Sequence, residues 1–248
     1  MSKRKEMREK RRRQQRLQRT LTIGLIVAGA LLVTFALIYP SIKPVGEVVV
    51  PISNPRPMAD GNSMGDPDAP VKMVEYSDFQ CPVCARFVRD ISPLIVETYI
   101  KTGKVYFTYR SLGNFISDNI TRATGIQSSE SRDAIEAAYC AGDQNKFWEY
   151  HDILFANQTG EGVGDFIPRR LVAYAKALNL DMAAFQECIT SHKYTDHINQ
   201  DEKDGKEALA STDRLLTPAF TVNGELIPGA LPFDEFQKTI EAALAAAG

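Results

Sequence analysis

Cysteine and histidine are scarce in this chain, four and three among 248 residues, and only one Cys-x-x-Cys occurs. A structural zinc site takes four ligands at short paired spacings. Here fifty-five residues separate Cys84 from Cys140, and His151, His192 and His197 pair with no cysteine, which argues against zinc and leaves no metal or cofactor to assign. No internal repeat is visible, so solenoids and propellers are excluded. No charge falls between Leu21 and Tyr39 (LTIGLIVAGALLVTFALIY). These nineteen residues reach about 28 Å as a helix, close to the ~30 Å hydrocarbon core of a bilayer. The run exceeds the ~7–15 residues usual in a cleaved signal, and IYPSIKP after it offers no small-x-small cleavage pattern. It reads as an uncleaved anchor.

What is present before that run is positive charge. Residues 1–20 hold ten Lys or Arg against two Glu, a net +8 inside a chain whose total is −2, so the other 228 residues carry −10. Under the positive-inside rule the arm stays in the cytoplasm and everything after Tyr39 is exported. Topology and lipid contact then account for the basicity, and nucleic-acid binding is not needed to explain it. Beyond the anchor, residues 40–70 hold seven of the thirteen prolines (Pro40, Pro44, Pro51, Pro55, Pro57, Pro67 and Pro70) and read as a semi-extended spacer.

From Val71 onward, 178 residues suffice for one domain with a sizeable core. VKMVEYSD (71–78) reads as a strand and CPVCARFVRDISPLIVETYI as a helix kinked at Pro93. KVYFTYR (104–110) reads as a second strand, parallel to the first through a right-handed crossover. A long helical stretch follows over about 117–209, and Asn223-Gly224 in AFTVNGELIPG marks a hairpin before a last helix. The architecture is a small α/β domain split by an all-helical insertion.

All four cysteines, Cys81, Cys84, Cys140 and Cys188, follow the anchor, in a compartment where disulfides persist. Cys81-Pro82-Val83-Cys84 stands where a strand hands over to a helix. Pro82 suits the first helical position, where its missing N–H costs nothing. Cys81 then falls at the N-cap beside free N–H groups and the positive end of the helix dipole, which favours thiolate. Residues i and i+3 share a face, so Cys84 can reach Cys81: one exposed attacking thiol and one shielded resolving thiol. A purely structural Cys81–Cys84 crosslink closes too small a loop to stabilise much. Cys140 and Cys188, on two apolar-patterned segments of the insertion, are read as a structural disulfide. Two buried free thiols, or a relay to the first pair, are the alternatives. His151 reads as a core residue.

VEYSDFQCPVC, the later TPAFTVNGELIPGA and the helical insertion between them resemble the DsbA-like thioredoxin-fold thiol–disulfide oxidoreductases, from about Val71 to the C-terminus. The resemblance implies a thioredoxin fold with an inserted helical domain and dithiol–disulfide exchange on exported protein thiols, with Cys81 as nucleophile and Cys84 as resolving cysteine. It implies a cis-proline at Pro218, with Thr217 offering its backbone to a substrate strand. It also implies a buried acid at Glu75, whose raised pKa would assist proton transfer at Cys84. Two positions depart from the family's pattern. Val83 stands where strongly oxidising members carry His, which places the expected potential between about −120 and about −270 mV. Leu216 stands before Thr217-Pro218 where a small residue is frequent.

The expected protein is a monomeric, membrane-anchored extracytoplasmic oxidase, its pair reoxidised by a quinone-linked membrane thiol oxidase. A reductase or isomerase, and a non-enzymatic anchored peptide-binding module, are the alternatives.

Overall fold

The computed structural model describes residues 3–42, 45–52, 54 and 56–247. Met1 and Ser2 of the basic arm and Pro44 and Pro55 of the proline-rich segment lie outside the described residues. The chain divides into two compact units, Met1–Gly46 and Glu47–Gly248. The first is one helix, α1 (Lys3–Ile42). The Lys, Arg, Gln and Glu of the arm are good helix formers, so arm and apolar run join without a break. Among the described residues, Arg11–Ala36 is the one stretch long and apolar enough to cross a membrane, and its large apolar side chains are exposed.

The second unit is built on five strands: β1 (Ser63–Met64), β2 (Val71–Ser77), β3 (Val105–Ser111), β4 (Ala219–Val222) and β5 (Glu225–Pro228), in the order β1-β3-β2-β4-β5. β2 and β3 are parallel, in register from Val71↔Val105 to Ser77↔Ser111. The other pairings are antiparallel. β4 and β5 are joined by Asn223 and Gly224 at φ 47° and 90°. Both angles are positive, as the two-residue turn that follows strand twist requires.

The crossover from β2 to β3 is α2 (Pro82–Asp90), α3 (Ser92–Ile95) and one π-helical turn, Val96–Ile100. The break falls at Ile91, two residues before Pro93, because Pro93 takes the first turn of the new helix, where no N–H is required of it. Between β3 and β4 run six helices: α4 (Phe115–Thr124), α5 (Glu130–Gly142), α6 (Phe147–Ala156), α7 (Pro168–Ala177), α8 (Met182–Thr190) and α9 (Thr195–Ala208). The last helix, α10 (Phe233–Ala247), packs back on the sheet, with Phe236 and Phe220 edge to face at 4.9 Å. α9 meets the sheet through Gly205, where a Cβ would come within 2.7 Å of Leu112. Only a residue without a side chain allows that approach.

The compact unit starts at Glu47, upstream of the Val71 start suggested by sequence. Its prolines keep residues 47–64 from forming a helix but do not keep them off the domain. Val49 and Asn157 exchange two hydrogen bonds (2.9 and 2.7 Å), Arg56 pairs with Asp152 at 2.6 Å and covers Trp148 at 4.8 Å, and the Trp148 Nε1–H donates to Ser63 O. β1 then closes the outer edge of β3.

Candidate active site

Cys81 is the N-cap of α2, with Pro82 at its first position. The Cys81 thiol donates to the carbonyl oxygen of Thr217 at 3.4 Å, and the Thr217–Pro218 peptide bond is cis. The cysteine pair and the Thr217-Pro218 loop therefore share one site. Cys81 is 4 % exposed, less open than its helix-end position suggests, because α4 and the loop before β4 close over it. It still lines a groove of about 730 Å³ with Phe115, Ile116, Arg122, Leu216 and Thr217. Val83 is half-buried against the core and Cys84 is fully buried.

The two free sulfurs differ sharply in acidity. A hydrogen bond from the Cys84 thiol does most to lower the Cys81 pKa. Burial works against it, and the Thr217 side chain and the N–H groups of Cys84 and Val83 lower it further, to about 7. Burial, first of all, pushes the Cys84 thiol well above the ordinary range, and the neighbouring Cys81 and Glu75 add to the rise. Glu75 is 1 % exposed in the middle of β2, between Tyr109 on β3 and Phe220 on β4. Burial raises its carboxyl to about 8, with Ser77 and Arg56 pulling down and Cys81 pushing up. Near neutrality the site thus holds one thiol half-ionised, one thiol protonated and a protonated carboxyl.

The turn between β2 and α2 is held from the helical insertion. Asp78 accepts from the N–H groups of Gln80 (2.9 Å) and Ile116 (3.0 Å), and burial raises its carboxyl to about 6 despite them. The Gln80 amide donates to Ser117 and Ser131, both at 2.8 Å, and accepts from Gly162 N–H at 2.8 Å. Sequence reasoning passes over Asp78 and Gln80, since a polar pair beside a motif reads as solvated loop. Ser77 and Tyr109, fully buried beside Glu75, are also missed. The period-2 pattern of EYS places Ser77 on the face of Glu75, but Tyr109 joins them only once the β2–β3 register is known.

Cys140 and Cys188 are bonded, S–S 2.01 Å, joining α5 to α8. They stand apart from the free pair Cys81 and Cys84. His151 is buried among aromatic rings and hydrogen-bonds Asp152 at 2.8 Å. Among the described residues no group of three or more His, Cys, Asp or Glu is arranged to hold a metal ion.

A family model described as thioredoxin matches residues 59–242. The chain is 30 % identical over 183 residues to the probable disulfide bond formation protein D of Bacillus anthracis, covering 72 % of this chain and 76 % of that one. It is 31 % identical over 199 residues to the Na(+)/H(+) antiporter NhaA 1 of Salinispora arenicola. That match takes in 80 % of this chain but spans only 26 % of the antiporter's length. Among solved structures, oxidised BdbD from Bacillus subtilis superposes with a TM-score of 0.62 at 24 % identity, covering 78 % of this chain and 98 % of that one. The chain belongs to the thioredoxin family and is related to the disulfide bond formation protein D of Bacillus, and its fold is that of BdbD.

Proposed function

We propose that this member of the family is a membrane-anchored, extracytoplasmic thiol oxidase working through Cys81-Pro82-Val83-Cys84. The observation that carries the reading is the asymmetry of the two sulfurs. One is drawn to a pKa of about 7 at a helix start and faces a groove; the other is buried over a protonated carboxylic acid.

In the forward step a substrate thiolate attacks Cys81 Sγ of the Cys81–Cys84 disulfide. A mixed disulfide forms, and the electron pair of the broken S–S bond leaves on Cys84. That buried thiolate is protonated at the expense of Glu75. A second substrate thiolate then attacks the substrate sulfur of the mixed disulfide, and Cys81 leaves as thiolate. Its lowered pKa makes it the better leaving group of the pair. Thr217 and Pro218 offer the substrate a backbone edge, and Phe115, Ile116 and Leu216 supply apolar contact beside Arg122 and Arg214. The groove suits an unfolded, extended chain. Cys140–Cys188 serves as a structural crosslink of the insertion.

Residues 21–39 are the anchor, with the +8 arm in the cytoplasm, and the catalytic domain is the compact unit from Glu47 onward, β1 included. The reduced pair passes its two electrons to a membrane-embedded, quinone-linked thiol oxidase.

The test is reoxidation of reduced ribonuclease by the purified oxidised protein. The expected result is reactivation well above background, lost in Cys81→Ala and in Cys84→Ser. Cys84→Ser given ribonuclease with scrambled disulfides should instead trap a mixed disulfide at Cys81, the broken substrate disulfide leaving one substrate thiolate. No reactivation by the wild type, or a mixed disulfide trapped at Cys84 in Cys81→Ala and none at Cys81 in Cys84→Ser, overturns the reading. A membrane-impermeant maleimide labelling reduced Cys81 in intact cells checks the topology.

A further inference from the structure

Among the described residues five buried polar side-chain atoms make no hydrogen bond, and three of them meet in one place: Glu75 Oε1, Ser77 Oγ and Tyr109 OH. Leaving a buried polar group unpaired is costly, so a cluster of three asks for an explanation beyond packing. The sheet brings them together. Glu75 and Ser77 are two apart on β2 and share a face, and Tyr109 is the β3 register partner of Glu75. Cys84 lies against the same face, and both Cys84 and Tyr109 feel the charge of Glu75.

Ser77 is the neighbour common to carboxyl, thiol and phenol. Its hydroxyl lies close enough to draw down the pKa of all three, yet holds none of them at full hydrogen-bonding geometry. A hydroxyl gives one proton as it accepts another, which transfer across a short gap requires. Tyr109 stands across the pairing on β3, and Ser77 is the hydroxyl close to both the Glu75 carboxyl and the Cys84 thiol. The other ionisable groups facing the cluster are Arg56 and Cys81 toward Glu75, and Asp78 toward Tyr109.

Resting on the exchange proposed at Cys81 and Cys84, we propose that Ser77 carries the proton between Glu75 and Cys84, while Tyr109 walls the carboxyl from β3. When the S–S bond breaks and its electron pair leaves on Cys84 Sγ, the Ser77 O–H gives its proton to that sulfur. In the same step Ser77 takes the carboxyl proton of Glu75. Cys84 ends as thiol, Glu75 as carboxylate and Ser77 unchanged; the two electrons come from the attacking thiolate. Reoxidation runs the same path backwards.

The test is stopped-flow reduction of the oxidised full chain by dithiothreitol, which reports on the disulfide whether or not the protein is an oxidase. A relay moves two protons at once, so the wild-type rate plotted against deuterium fraction should be curved. Ser77→Ala should slow reduction at least about 10-fold, a modest share of what positioned proton transfer supplies. Ser77→Thr should restore the rate, and Tyr109→Phe should keep it within about 3-fold. A straight wild-type deuterium plot overturns the relay even if Ser77→Ala fails to fold. So does a folded Ser77→Ala that keeps the wild-type rate and pH profile. If ribonuclease is not reoxidised while the dithiothreitol results hold, the oxidase reading fails and the relay stands.

Discussion

The Cys81 sulfur lies 3.4 Å from the carbonyl oxygen of Thr217, a residue 136 positions later in the chain. The contact joins the strand-to-helix junction after β2 to the loop opening β4, although the whole helical insertion lies between them in sequence. A substrate sulfur attacking Cys81 therefore arrives beside a backbone edge that can hold the rest of its chain.

The Cys81 thiol titrates near 7, below the ~8.5 of a free cysteine. Alkylation of the reduced protein by iodoacetamide should rise with pH to a midpoint near 7 and level off by about pH 8. Cys84, buried and pushed upward, should remain unmodified over that range. A single midpoint above pH 8 would contradict the asymmetry on which the oxidase reading rests.

Glu75 binds its proton more tightly folded than unfolded, with a pKa of about 8 against 4.5. Stability from this group is therefore full below pH 4.5 and is lost as pH rises toward 8. Asp78 adds a slope of the same sign between 3.8 and about 6, and Cys81, lowered to about 7, adds one of opposite sign. Glu75→Gln keeps both, so its difference from wild type over pH 6–8 isolates Glu75. Across it the wild type should lose up to about 2–3 kcal/mol that Glu75→Gln does not lose, at 1.36 kcal/mol per pH unit. Denaturant melts at pH 6 and pH 8 measure the difference.

Val83 is half-buried beside the pair and gives Cys81 no side-chain hydrogen bond or charge. Val83→His should place a cation near the thiolate, stabilise the reduced form and raise the potential. The rise should be about 30 mV for each tenfold change in the equilibrium constant against glutathione. An unchanged or lower potential would show that the helix start and the Cys84 thiol already set the thiolate energy.

The disulfide joining α5 to α8 closes a 48-residue separation. Replacing both Cys140 and Cys188 by serine should cost at most about 4 kcal/mol of stability in the chain-entropy view. The alkylation rate of Cys81 should stay unchanged. A loss of that reactivity together with the crosslink would link the two pairs functionally.

Much of the site was legible because it is written in contiguous residues. Cys81-Pro82-Val83-Cys84, with proline fitting the first turn, fixes a helix start, and Asn223-Gly224 fixes a hairpin by backbone angle alone. Glu75 is picked out by the family resemblance, and the strand pattern alone leaves it free to face solvent. What sequence conceals is register and reach. Tyr109 becomes a neighbour of Glu75 only through the pairing of β2 with β3, and Gln80 becomes structural only when Ser117, Ser131 and Gly162 fold around it. The two residues of β1 carry no alternation long enough to read, and the prolines around them suggest a tether rather than a docked strand.

β1 also bears on how this protein can be cut for study. A fragment begun at Val71 would lose Ser63 and Met64 and leave β3 with a bare row of amide and carbonyl groups, an invitation to pair with another molecule. It would also lose Arg56 from Asp152 and leave Trp148 uncovered. A fragment begun at Glu47 keeps β1 on that border; the opposite edge is β5, which ends in Pro228.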